Sequence, residues 1–408
     1  MMNIFHRKKK QKIFIGNCHK AMKTAIIINT GFDGGGSTTL GYEFDKIGLD
    51  VFFRDITKIK NTKTSNIYKT YKSNEELVKL LATYEKVIFS LLAVSLNDTD
   101  KAFDVVLQVK RAYPHMKICY LNCARLEKLF QEVLRVSALH GFSFDRVYSI
   151  ADNAKQYYDK VTPMLINAYT FREKLIECEK QPIVFSAGRV EAVKGTTQYF
   201  QNFSEEFKKD EYYYIHEGAT FNFTKTNGIS CPPQLLSLFE TGISPKQPKE
   251  SYRFCNYGEL PMIDKLNIYS SYSKDDIDRW STYYAGICTI LGSVSKQSSS
   301  LFTNDIICAN KTENNRLHKR RDIWGGSLEY ANIEMIDMGI PVLLSRMYAS
   351  IVGFTDEYLI YDCFSDIPRK VKELENHYDE VRLSQRAWLV NKQDRINKSI
   401  IERFEEDI

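Results

Sequence analysis

MKTAIIINTGFDGGGSTTLGYEFDKIGLDVFFRDI fills residues 22–56 and reads as strand, glycine-rich turn, helix and second strand. AIIIN (25–29) is an unbroken apolar run, the pattern of a strand covered on both faces of its sheet. The rhythm repeats downstream: helical NEELVKLLATY into EKVIFSLL (85–92), helical DKAFDVVLQVKRAY into MKICYLN (116–122), helical LEKLFQEVLRVSALH into FDRVYSI (144–150). Continuous apolar strands separated by amphipathic helices predict a parallel sheet with helices on both faces, a Rossmann-like half.

The rhythm restarts at PIVFSAGRV (182–190), passes helical QYFQNFSEEFKK and strand EYYYIHEG (211–218), and loses regularity through 219–260. It returns at AGICTILGS, SLEYANIEMIDMG (327–339), IPVLLS and EYLIYD (357–362), and from 367 to the end the sequence reads as long helix. The chain has 408 residues, too many for one core, since cores stop growing near roughly 250–300 residues. Two α/β halves are therefore expected, joined near residues 165–181.

Nine cysteines form no CxxC pair and no Cys/His cluster of zinc-ligand spacing, so reduced thiols and no structural metal are expected. No run approaches the ~18 apolar residues that span a bilayer, and the start lacks the apolar core of a signal peptide. A soluble intracellular protein without membrane contact is expected. The net charge of +5 permits a polyanionic partner without demanding one. HRKKKQK (6–12) and RLHKRRD (316–322) are the densest basic runs, each readable as a solvated face or as a phosphate contact. Residues 1–21 are either a basic arm ahead of the fold or a start placed too early, with Met22 the alternative.

Three segments carry chemistry. TGFDGGGSTT (30–39) follows the first strand and opens the first helix. Gly34, Gly35, Gly36 and Ser37 would let backbone N–H groups approach an anion, although a tight turn alone also uses glycine. The dinucleotide fingerprint is met only loosely and no acidic residue closes the second strand, which disfavours NAD. In SAGRVEAVKG (186–195), Gly188 and Arg189 precede Lys194 by a short loop, and a planar guanidinium with a movable ammonium suits a diphosphate; two surface cations are the plain alternative. In SLEYANIEMIDMG, Ser327 is the expected N-cap and Glu334 is expected about two turns into the helix, where a carboxylate accepts from ribose hydroxyls.

GRxxxxKG, followed downstream by a helix that ends E-x-x-x-x-G-x-P-V, resembles the nucleotide-sugar half of retaining GT-B glycosyltransferases. More narrowly, the chain resembles the bacteriophage DNA α-glucosyltransferases, which add glucose to 5-hydroxymethylcytosine in duplex DNA. That family has an acidic residue before a Gly-rich loop (here GFDGGGSTT), a GRTTTWKG-like loop (GRVEAVKG), an EGL segment (HEGAT) and SLEYTHLELGxxGxxPVF (SLEYANIEMIDMGIPVLL), in the same order from about residue 24 to 400.

The resemblance implies two Rossmann-like domains facing an inter-domain cleft, with a C-terminal helix returning to the N-terminal domain. Residues 22–172 would form the acceptor domain, 173–384 the nucleotide-sugar domain and 385–408 the returning helix. It implies a UDP-sugar donor, duplex DNA with hydroxymethylated cytosine as acceptor, transfer with retention, no cofactor, no essential metal, a monomer, and the cytoplasm of an infected bacterium as its setting.

Arg189 and Lys194 would hold the diphosphate, Glu334 the ribose, and the backbone of Ser327, Leu328 and Glu329 the phosphates. Gly34 to Ser37 would approach the donor from the other side. The family's His-Asp pair after the fourth strand is replaced here by Tyr120, Leu121, Asn122 and Cys123, which leaves Asp33 or Glu217 to supply a carboxylate, or points to a different acceptor or weak activity. His318, Lys319, Arg320 and Arg321 stand just before the donor helix as a DNA-phosphate contact. A transferase acting on a cell-envelope glycan and a non-enzymatic nucleotide-binding module are the competing readings.

Overall fold

The structure is a computed structural model that describes residues 22–28, 36–54, 69–90, 99–123, 127–150, 154, 157–187, 199, 211–217, 254–256, 280–290 and 328–408. The chain runs β1 (Thr24–Ile28), α1 (Gly36–Lys46), β2 (Asp50–Arg54), β3 (Lys69–Tyr71), α2 (Asn74–Leu80), β4 (Lys86–Ser90), α3 (Thr99–Ala112), β5 (Lys117–Asn122), α4 (Glu127–Leu139), β6 (Arg146–Ser149) and β7 (Val161–Pro163). It continues through β8 (Gln181–Ala187), β9 (Tyr213–Glu217), β10 (Phe254–Asn256), β11 (Tyr283–Cys288), α5 (Tyr330–Asp337), β12 (Val342–Ser345), α6 (Arg346–Val352), β13 (Ile360–Tyr361), α7 (Ile367–Glu373) and α8 (Tyr378–Glu405).

The strands form two sheets, in the orders β3-β2-β1-β4-β5-β6-β7 and β10-β9-β8-β11-β12-β13, and the pairing is parallel throughout. In the first sheet successive residues serve opposite faces. Ala25, Ile27, Phe52, Val87, Phe89, Ile118 and Tyr120 point into a core with Leu77 of α2, Phe103, Val106 and Val109 of α3 and Val133 of α4. Ile26, Ile28, Val51, Phe53, Ile88 and Leu121 point into a second core, covered by Leu40 and Phe44 of α1 and by Ile396, Ile400 and Phe404 of α8. Half of the cover on that face thus arrives from the far end of the chain.

α8 begins on the other sheet, where Val381 and Leu389 join the second unit's core. Its end is capped by the leading residues of three strands of the first sheet, as a helix C-terminus needs. Thr24 Oγ1 donates to the Phe404 carbonyl (2.9 Å), the buried Lys86 Nζ to the Glu406 carbonyl (2.5 Å), and Arg146 pairs with Glu406 (3.0 Å).

The long helix read from residue 367 is broken in two. A 3-10 turn at Leu374–Asn376 separates α7 from α8, because α7 packs against β13 whereas α8 packs against α5, and the chain must turn between them. The strand read at 357–362 shortens to Ile360–Tyr361 behind a 3-10 turn. Because β13 is so short, it pairs only with Leu344 and Ser345 of β12. The side-chain amide of Gln385 takes over the pairing at Val342, accepting from its N–H (2.8 Å) and donating to its carbonyl (2.8 Å), with Gln385 fully buried. Changing Gln385 to Leu keeps the volume and strands both backbone groups, so the protein should lose about 2–5 kcal/mol of stability. Urea unfolding checks this, and a midpoint equal to wild type would mean the amide does not carry the pairing.

Candidate functional site

In parallel sheets the carboxyl ends of the strands carry the ligand, at the point where the strand order reverses direction. The first sheet reverses between β1 and β4, and the second between β8 and β11. The glycine loop 30–35 follows β1 and leads straight into α1, and GRVEAVKG starts at the residue after Ala187, where β8 ends. The strands that precede the two segments singled out in the sequence, β1 and β8, are therefore the ones beside the reversal points. Asp33, Gly34, Gly35, Gly188, Arg189, Lys194, Lys319, Arg320, Arg321 and Ser327 lie outside the described residues.

Glu217 is the last residue of β9 and pairs in register with Ala187, so its backbone adjoins the exit of β8. On the other side of β8, β11 ends at Cys288, and the loop after it is held by two hydroxyls. Tyr361 donates to the Cys288 carbonyl (2.9 Å) and Ser345 to the Ile290 carbonyl (2.9 Å). Asn332 in the first turn of α5 donates to the Cys288 sulphur (3.3 Å), which places the start of α5 at this same edge. The end of β8, the end of β9, the end of β11 and the N-terminus of α5 thus sit side by side.

The helix starts later than its sequence suggests. Glu329, with extended backbone (φ −73°, ψ 151°), is the N-cap in place of Ser327, and its carbonyl accepts from the N–H groups of Asn332 and Ile333. Glu334 is therefore just over one turn into α5, not two. Gly286 of β11 lets the helix come close: a Cβ there would stand 2.4 Å from the Met335 sulphur. Gly41 does the same for α1, where a Cβ would stand 2.6 Å from the Phe53 ring.

Both helices are tied to the segment joining the sheets. The Thr170 N–H donates to Glu43 of α1 (2.8 Å), Tyr330 of α5 donates to the Ala168 carbonyl (3.1 Å), and Asn167 donates to the Leu328 carbonyl (2.9 Å). Tyr330 packs against the cores of both units. Burial raises its phenol well above the ordinary value, and the charges of Glu43, Cys123 and Glu334 add to this. The Tyr169 phenol is raised by burial, then by Asp337 and Glu334. The Glu334 charge thus acts on both phenols, at the junction between the two units.

Asp337, fully buried on the same helix face, fastens that junction. It accepts from the Tyr169 hydroxyl (3.0 Å), the Arg172 N–H (3.2 Å) and Arg386 of α8 (3.0 Å). The sequence reading missed this set, although Tyr330, Glu334 and Asp337 at spacings of four and three form a polar stripe along one face of the helix. Asn122 is 1% exposed and donates to Ser149 (3.1 Å), binding the end of β5 to β6. It spans the position where the phage family places its His-Asp pair, and its side chain joins two strands. Among the described residues no group of three metal-ligating side chains occurs and no helix is long and apolar enough to cross a membrane.

No protein-family profile and no curated protein sequence matches the chain. Solved structures do match. An α-glucosyltransferase in complex with UDP and a 13-mer DNA containing a central A:G mismatch is similar over 95% of this chain and 100% of its own, at 15% identity and a TM-score of 0.56. The α-glucosyltransferase with UDP and a 13-mer DNA containing a HMU base gives 93%, 100%, 15% and 0.57. Alr3699/HepE of Anabaena, in complex with UDP and glucose, gives 95%, 100%, 9% and 0.54. The fold is GT-B. The likeness extends over nearly the whole chain.

Glu43 supplies a test of the α1 anchor. Burial raises its carboxyl above the ordinary 4.5, against the opposing pull of Lys46 and the Thr170 N–H. A raised carboxyl favours the folded state below its ordinary value, and that contribution is lost as pH rises through the raised value. Glu43→Gln keeps an acceptor for Thr170 and removes the buried charge. Its stability relative to wild type should therefore improve as pH climbs from 4.5 toward neutrality. Thermal unfolding at several pH values measures this, and a variant that loses ground as pH rises would contradict the burial account.

Proposed function

We propose that the protein is a glycosyltransferase that moves a sugar from a UDP-sugar to the hydroxymethyl group of 5-hydroxymethylcytosine in duplex DNA, with retention. The observation that supports the reading is that β1 and β8, the strands ahead of the two chemically apt segments, lie at the reversal points of two parallel sheets, with the start of α5 beside the end of β11. Residues 173–384 hold the donor and 22–172 the acceptor. Arg189 and Lys194 bind the diphosphate, the backbone of Ser327 to Glu329 meets the phosphates, and Glu334 takes the ribose hydroxyls. Gly34 to Ser37 approach the donor from the first unit.

The leaving diphosphate carries most of the charge that develops, so Arg189 and Lys194 supply the dominant stabilisation. The acceptor hydroxyl attacks from the face the diphosphate leaves, and a diphosphate oxygen takes its proton. Such a route does without a side-chain base, which fits Asn122 being used up within the sheet. Asp33 or Glu217 would supply a carboxylate where one is needed, Glu217 ending β9 opposite Ala187. Lys319, Arg320 and Arg321 hold DNA phosphates.

The second reading, a retaining GT-B transferase with a non-DNA acceptor, is favoured by the likeness to the Anabaena protein, whose complex holds UDP and glucose and whose TM-score of 0.54 is close to that of the DNA complexes.

Arg189→Ala should weaken UDP binding by about tenfold to a hundredfold without unfolding the protein, as loss of a charge-assisted contact does. Calorimetry on a variant with a native circular dichroism spectrum reads it, and unchanged affinity would remove Arg189 from the site. For the acceptor, affinity for duplex DNA should fall steeply with salt, and neutralising Lys319, Arg320 and Arg321 together should flatten that slope by up to about one unit per lost phosphate contact. A preference for hydroxymethylated over plain DNA should persist at high salt. Its absence, with no salt slope, would leave the non-DNA reading.

A further inference from the structure

Cys178 and Lys180 lie two residues apart on the segment leading into β8, at the amino edge of the second sheet and away from the loops discussed above. Both are partly exposed, and both side chains converge on one backbone oxygen. The Cys178 thiol donates to the Ser281 carbonyl (2.9 Å) and lies 3.7 Å from the Ser281 hydroxyl. The Lys180 amine donates to the same carbonyl (2.6 Å) and stands 3.9 Å from the Cys178 sulphur. Burial pulls the Lys180 amine below its ordinary value, so more of it is present with a free lone pair.

Three other thiols, Cys119, Cys288 and Cys363, are placed differently. Cys119 also has a lysine near it, Lys86, but thiol and amine are both buried, and burial pushes the thiol up to about 12. Cys288 is buried. Cys363 is partly exposed with a hydroxyl at its side, Ser365 Oγ at 3.0 Å. Cys178 is partly exposed and has the Lys180 nitrogen beside its sulphur.

We propose that Cys178 and Lys180 form an oxidation-sensitive site, in which a peroxide converts the thiol to a sulfenic acid and the Lys180 amine closes on it as a covalent sulphur–nitrogen link. In the first step the sulphur attacks the peroxide, the O–O bond breaks, and the thiol proton leaves with the departing oxygen as water. In the second the nitrogen lone pair attacks the sulphur, the S–O bond breaks, and hydroxide departs with a proton from nitrogen as a second water. One peroxide is consumed, two waters form, and the protein loses one hydrogen from sulphur and one from nitrogen.

The link withdraws the thiol donor and one amine donor from the Ser281 carbonyl. It therefore acts where the connecting segment is fastened to the second sheet, one residue from Glu177, which pairs with Arg382 of α8 (3.1 Å). A thiol reductant reopens it.

Peptide mapping after mild hydrogen peroxide tests the site on the intact protein. Trypsin normally cuts after Lys180 and releases LIECEK (175–180); a linked lysine blocks that cut and gives LIECEKQPIVFSAGR (175–189). That peptide should weigh about 2 Da less than its unmodified mass, and reduction before digestion should restore the cut. Cys178→Ser and Lys180→Arg should each abolish it, with Lys180→Arg keeping a cation for the Ser281 carbonyl. In Lys180→Arg, Cys178 should instead gain one or more oxygens. Wild-type protein in which Cys178 only gains oxygen while cleavage after Lys180 stays complete would overturn the proposal. So would a Cys178 that stays reduced while Cys363 oxidises.

Discussion

One of the two apolar faces of the first sheet is covered by the last helix of the chain together with α1, and this ties the two sheets together. α8 has to leave the second core at Leu389 and reach the first at Ile396, Ile400 and Phe404. Along the way it binds backbone through side-chain amides. Gln385 pairs with both polar groups of Val342, and Asn397 accepts from the Tyr169 N–H (3.1 Å) and donates to its carbonyl (2.8 Å). Two amides thus do what strand neighbours do elsewhere, and because each satisfies a donor and an acceptor at once, a slip of the helix would leave both unpaired.

The same helix positions the start of α5 indirectly. Gln393 donates to the Asn167 carbonyl, and Asn167 in turn donates to the carbonyl of Leu328, the residue before the N-cap. Arg386 adds the ion pair to Asp337 at the other end of α5. Helix α5 is therefore held at both ends by groups that also hold the connecting segment, while Glu43 holds α1 to that segment at Thr170. Close seating of α1 over Gly41 and of α5 over Gly286 brings both helix starts to the carboxyl edges of their sheets.

The central strands were legible in the sequence because a strand covered on both faces has to be continuously apolar: TAIII, KVIFS and KICYLN could scarcely be anything else. The strands that escaped, β3 (KTY), β7 (VTP) and β10 (FCN), are three residues long and lie at sheet edges, where pairing on one side leaves no apolar run to read. Helix α6 also went unread, since its N-cap Ser345 doubles as the last residue of β12. Ser327 was favoured as an N-cap by the general preference for Ser, whereas the extended backbone at Glu329 is set by the Leu328 tie to Asn167. The strands that end at the reversal points, β1 and β8, were legible from their apolar runs. The polar ties of Gln385, Asn397 and Asp337 were not, because a Gln, Asn or Asp on a helix gives no sign of which backbone group it will meet.

Transfer itself is the most direct test of the functional reading. Hydroxymethylated and plain duplex DNA, each incubated with the protein and a panel of nucleotide sugars and then digested to nucleosides, would be read by mass spectrometry. The account predicts a sugar added to hydroxymethylcytosine from a UDP-linked donor, with plain cytosine unchanged. No added mass on either DNA with any donor, from protein that binds UDP, would contradict the DNA acceptor.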